Sequence, residues 1–165
     1  MPETAGPPQR GPETGVAFLL AQLGAHAAMR YASRVAELDL DPAQTGVLHL
    51  IARRPGQSQQ ALADQLGVAA SRVVALVDGL ESRGLLARQR SATDRRNYEL
   101  HLTPEGERLL ERVREVAVAH EKDVTAALTA DERARLVELL QKVADQQGLT
   151  PGVHPGYRRL LGPKR

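Results

Sequence analysis

Four arginines, Arg88, Arg90, Arg95 and Arg96, flank a short alternating segment, Tyr98-Glu99-Leu100-His101-Leu102, which Thr103-Pro104 brings to an end. A guanidinium stays charged at any physiological pH. Its planar fork of donors matches the oxygens of phosphate or carboxylate and the edge of a guanine base. From Arg83 to Arg96 there are five arginines against one acid, Asp94, and from Gly148 to Arg165 four basic residues and no acid. On a chain whose net charge is only +2, two such segments point to an anionic partner such as nucleic acid. The plain alternative is a solvated charged face. Other chemistry has little to stand on. With no cysteine, disulfides, thiolate metal sites and thiol redox sensing are excluded. The five histidines are far apart and form no His-x-x-x-His pair, so only a tertiary cluster could assemble a metal site. No Gly-rich phosphate loop, nucleophile elbow or zinc-helix motif occurs, and Glu105 and Glu107 sit among basic neighbours like surface residues. The expectation is a non-enzyme with no metal and no cofactor.

The elements that must hold these arginines are helical for the most part. Aromatics are 2% of the 165 residues, so the core must be built from Leu, Val, Ala and Ile, which favours helices. Residues 1–14, rich in Pro, Gly and Glu, read as a disordered tail without the apolar region of a secretory signal. No apolar run approaches the roughly 18 residues of a membrane span, and the expected location is the cytoplasm. An apolar face predicts a first helix over about 16–38. Asp41-Pro42-Ala43-Gln44 opens a second that ends before Pro55-Gly56. Ser58 caps a short third helix closed by Gly67, and a fourth follows from about Ala70 to Arg83, with Val73, Leu76, Val77 and Leu80 inward. Leu85 to Arg90 and Tyr98 to Leu102 form a hairpin around 91–97. Thr103-Pro104 starts a long helix expected to reach about Leu128. Thr129-x-x-Glu132 starts a last one to about Gln147, and 148–165 is a basic tail.

Two short helices joined by a Gly-containing turn, then a hairpin with a basic tip, then a long helix, make a winged helix-turn-helix. At the level of residues, Leu62 to Leu110 resembles the MarR family of bacterial transcription regulators. The elements that carry the resemblance are Leu62-Ala63 with Leu66-Gly67-Val68, then Leu76-Val77-Asp78-x-Leu80-Glu81-x-Arg83-Gly84-Leu85. The wing follows as Asp94-x-Arg96 and its exit as Leu102-Thr103-x-x-Gly106. Asp41-Pro42-x-Gln44 fits the start of the family's second helix.

The resemblance implies a mainly α fold with a small β-hairpin wing: a DNA-binding winged helix over about 42–103, with dimerisation helices over about 16–38 and 104–147. It also implies a homodimer that binds a pseudo-palindromic operator in double-stranded DNA, usually as a repressor, with release by a small phenolic or anionic effector. The fourth helix would be the recognition helix. Arg72 is the only long donor near its start and so the candidate for a bidentate guanine contact. Ala69, Ala70, Val74 and Ala75 could at most meet thymine methyls. Ser71 and Ser58 are candidates for phosphate bonds, or serve only as caps. Family members often carry Ser or Asp where this chain has Ala69, which leaves the first turn's cap open. Arg96 stands where the family's wing arginine enters the minor groove, with Asp94 orienting it, and Arg90 and Arg95 would touch phosphates. The candidate effector residues are His26, Arg30 and Tyr31 on the first helix, His49 on the second and His120 on the long helix. The tail either crosses to the partner through Val153, Tyr157, Leu160 and Leu161 or serves as a basic arm. The alternative function is a winged-helix protein-interaction module with little DNA affinity, which has no need of an arginine-lined wing.

Overall fold

Helix starts are set locally by side chains that satisfy otherwise orphaned N–H groups. Asp41 Oδ1 accepts from the Gln44 N–H at 2.8 Å while Gln44 Oε1 accepts from the Asp41 N–H at 3.0 Å, a reciprocal box that opens α2 (Pro42–Arg53). The same device, Thr129 with Glu132, opens α6 (Ala130–Gln146). Ser58 caps α3 (Gln59–Leu66), which ends at Gly67 with φ 67°. Thr103 caps α5 (Pro104–Val124). With α1 (Val16–Ala36), α4 (Ala70–Ser82) and the antiparallel pair β1 (Leu86–Arg90) and β2 (Tyr98–Leu102), these are the helices and strands of the described residues. The structure, a computed structural model, describes residues 15–91 and 98–154.

α2, α3 and α4 enclose one core with the base of the hairpin and the first half of α5. Leu48, Ile51, Leu62, Leu80, Leu100 and Val113 are fully buried in it. An isolated backbone bridge beside the hairpin escaped the sequence reading. Gly56 N–H donates to the Leu100 carbonyl and Leu100 N–H to the Gln57 carbonyl, both at 3.0 Å, so Gln57 pairs with β2. A single bridging residue carries no periodicity to read.

Gly106 explains its place in the motif. A Cβ there would lie 1.9 Å from the Leu85 carbonyl oxygen, so the first turn of α5 touches the end of the α4–β1 turn backbone to backbone. Thr103 fastens the same junction, since its hydroxyl donates to the Gly84 carbonyl at 2.6 Å and accepts from the Gly106 N–H at 3.0 Å.

The long helix is shorter than expected. α5 stops at Val124 instead of Leu128: the Thr125 N–H and hydroxyl both close on the Glu121 carbonyl, at 3.1 and 2.7 Å, and the chain must then turn so that Thr129 is extended to cap α6. At the other end, α1 closes on Asp39, which takes a left-handed φ of 55° and whose carbonyl accepts from Arg83 at 2.6 Å. That bond ties the end of α4 to the α1–α2 turn.

The terminal helices are different in kind. α6 buries none of its residues. Leu136, Leu139, Leu140 and Val143, with Val16, Leu19, Leu20 and Leu23 of α1, all stand exposed.

Candidate nucleic-acid interface and adjoining cavity

Along α4 the 3.6-residue period divides the side chains as the sequence implied. Val73, Val77 and Leu80 are buried, whereas Ser71, Arg72, Val74 and Ala75 are exposed. Ala70, at the start of the helix, is half-buried against the core. The first turn is capped by no side chain, because Ala69 has none to offer and Ser71 does not replace it. The outward surface is therefore flat, with small side chains and one long donor. Among the described residues no acid pairs with Arg72 or with Arg90 at the exposed end of β1.

Arg88 has another task. Its guanidinium bridges Asp78 and Glu81 of α4, and its backbone N–H donates to Glu81 Oε1 at 3.1 Å. Turned so that its amide oxygen faces the guanidinium, Gln59 of α3 accepts from Arg88 Nε at 3.0 Å. One side chain thus joins α3, α4 and the wing, and it neutralises two carboxylates that would otherwise repel phosphate from the same helix. Across the hairpin, Ser91 and His101 donate to Glu99 and hold its carboxyl below the usual range. Asp94, Arg95 and Arg96, the expected wing-tip contacts, lie outside the described residues. Ser58 is a cap, accepting from the Ala61 N–H at 3.2 Å.

A cavity of about 870 Å³ opens between α1, α2 and α5. Tyr31, His49 and His120 line it, as do Arg53, Ala32 and Leu50. Burial, with the positive charge of Arg114 and Arg53, holds the His49 imidazole below its ordinary pKa. Burial also lowers His120, and Arg34 and Arg30 add to the effect while Glu121 and Asp123 oppose it. The Tyr31 and His120 rings meet at 5.6 Å between centroids, and His120 Nδ1 is buried without a hydrogen-bond partner. Two expected residues are elsewhere. His26 is exposed, and Arg30 pairs at 3.5 Å with Asp123, to which Arg34 is also bound. Among the described residues no three His, Asp or Glu side chains converge to hold a metal ion. None of the described helices is long and apolar enough to cross a membrane.

The comparisons agree with this geometry. Residues 38–97 match the model of the MarR family. The solved structure of CouR, a transcriptional repressor bound to a 23-mer DNA duplex, is 35% identical, with a TM-score of 0.70, over 79% of this chain and 92% of that one. The chain belongs to the MarR family.

Two further comparisons extend the match. A Mycobacterium tuberculosis MarR family protein in complex with DNA is 25% identical with a TM-score of 0.69, over 79% of this chain and 98% of that one. A putative transcriptional regulatory protein for the hcr operon of Thauera aromatica is 41% identical over 110 residues, 67% of this chain and 66% of that relative. This chain thus spans just under two thirds of that relative's length. The MarR-type architecture brings Tyr31, His49 and His120 to one cavity although 89 residues separate the first from the last. Arg53 and His154, which line the same cavity, escaped the sequence reading. A basic residue at a helix end and a histidine in a Pro/Gly-rich tail carry no signal that would have marked them.

Proposed function

We propose that this chain is a sequence-specific transcription regulator that binds double-stranded DNA as a homodimer, represses from a pseudo-palindromic operator, and lets go when a small phenolic or anionic effector occupies the cavity. The observation that carries the reading is the outward face of α4. Ser71, Val74 and Ala75 are small enough to let the helix sit deep in a major groove. Arg72 is exposed and free of any described acid, so its fork is available to a guanine edge. Arg90, Arg95 and Arg96 then take phosphate and minor groove, with Asp94 steering Arg96. The exposed apolar stripes of α1 and α6 supply a two-fold interface that spaces two recognition helices about 34 Å apart, one turn of the duplex. In the cavity, Arg53 supplies a fixed positive charge and Tyr31, His49 and His120 supply polar groups for an anionic or phenolic ring set among apolar walls. A DNA partner supports the cytoplasm as the working location.

The test is binding to the duplex upstream of the chain's own gene against random duplex, titrated with salt. Tight, palindrome-dependent binding with a steep salt slope is expected. Equal and weak binding to both would put the protein-interaction reading in its place.

A further inference from the structure

After α6 the chain is built to turn back. Gly148 takes a left-handed φ of 66° while its N–H and that of Leu149 return to the Asp145 and Ala144 carbonyls at 3.0 and 3.1 Å, a helix-ending reversal. Thr150-Pro151-Gly152-Val153 is then a tight turn, closed by the Val153 N–H on the Thr150 carbonyl at 3.1 Å, with Gly152 at φ 72°. Val153 packs against the core of its own chain. A Cβ on Gly152 would come within 2.7 Å of Arg53 Nη1, so the turn rests directly on that guanidinium. Gly152 and His154 both line the cavity.

We propose that residues 148–154 form a strap that closes the cavity and takes part in recognising its ligand, with His154 and Arg53 receiving the acid group of an aromatic acid. The proposal rests on the reading of the cavity as an effector site. It gives that site a wall from outside the winged domain. The strap is also the continuation of α6, which buries nothing of its own, so a ligand held beneath it is in touch with the end of a dimerisation helix. Occupancy and the spacing of the two recognition helices then share one mechanical element.

The test uses the full chain and two dyes of the same shape: 1-anilinonaphthalene-8-sulfonate, an aromatic acid, and neutral N-phenyl-1-naphthylamine. Ala32→Phe, which fills the cavity from α1, should abolish binding of both. Val153→Ser and Gly152→Val, which lift the strap, should speed release of both dyes roughly tenfold, the scale of one buried side chain lost. His154→Ala should weaken the sulfonate and leave the neutral dye unchanged. Helix content by circular dichroism and DNA binding without dye should match wild type in the strap variants, because the strap supplies no residue to the outward face of α4 and meets the core only at its margin, through the half-buried Val153. If Ala32→Phe blocks both dyes while the three strap variants behave as wild type, the effector cavity stands and the strap proposal is wrong. If Ala32→Phe leaves dye binding intact, the cavity reading fails and the strap fails with it.

Discussion

Gly106→Ala is the substitution whose sign the structure decides against the ordinary rule. A glycine inside a helix usually costs about 0.5–1 kcal/mol relative to alanine, so replacing it should stabilise. At Gly106 the added methyl would lie 1.9 Å from the Leu85 carbonyl oxygen, far inside contact distance, and the obstacle is backbone that cannot rotate away. Relief requires α5 to back off from the α4–β1 turn. That movement strains the Thr103 bonds to Gly84 and Gly106 at 2.6 and 3.0 Å. Overpacking costs about 1–3 kcal/mol and a damaged cap about 1 kcal/mol. Against them stands the helix-propensity gain of at most about 1 kcal/mol. The net expectation is a loss of about 1–3 kcal/mol, read as a lower urea midpoint at unchanged slope and at one fixed protomer concentration. Gly79→Ala is the control. It is also helical, with nothing within 4 Å of its added Cβ, and should gain about 0.5–1 kcal/mol. A Gly106→Ala midpoint equal to or above wild type would refute the close-approach reasoning, most clearly if Gly79→Ala rose by the same amount.

Arg72→Ala should cost about 1–3 kcal/mol on the operator and relax preference at one base pair per half-site. Arg96→Ala should weaken binding on all duplexes and lower the salt slope by about one. Equal losses for Arg72→Ala on operator and random DNA would remove it from base reading. Ala69→Ser gives α4 the cap it lacks and should stabilise the fold by about 1 kcal/mol in thermal unfolding; no gain would mean that the N–H groups of that turn are already satisfied. His49 and His120 have pKa values lowered by burial and nearby arginines. The unfolded chain therefore binds protons first, and stability should fall as pH drops through the ordinary histidine value near 6.5. His49→Gln should flatten the urea midpoint between pH 7.5 and 5.5, and an unchanged slope there would show that His49 does not carry the dependence.

The regular elements and most of their ends were legible in the sequence because their causes are local, the end of α5, expected near Leu128 and found at Val124, being the exception. Caps such as Asp41, Ser58, Thr103 and Thr129 act within three residues, Gly67 ends a helix where it stands, and the inward face of α4 follows from a 3.6-residue period. The order of those elements, with the Asp78, Arg83 and Gly106 motif residues, was enough to expect a winged helix. Tertiary structure decided what each charge does. Arg88 and Arg90 fall on the same side of β1, yet only Arg88 reaches Asp78 and Glu81. The difference is where α4 passes beneath the strand, not anything within the strand. Likewise Tyr31, His49, Arg53, His120 and His154 become neighbours only through the packing of α1, α2 and α5 and the return of the chain after Gly148. Backbone conformation is a matter of a few adjacent dihedrals and hydrogen bonds, and a sequence states it directly. An ion pair or a cavity depends on contacts between distant segments, and their distances exist only once the core has brought those segments together.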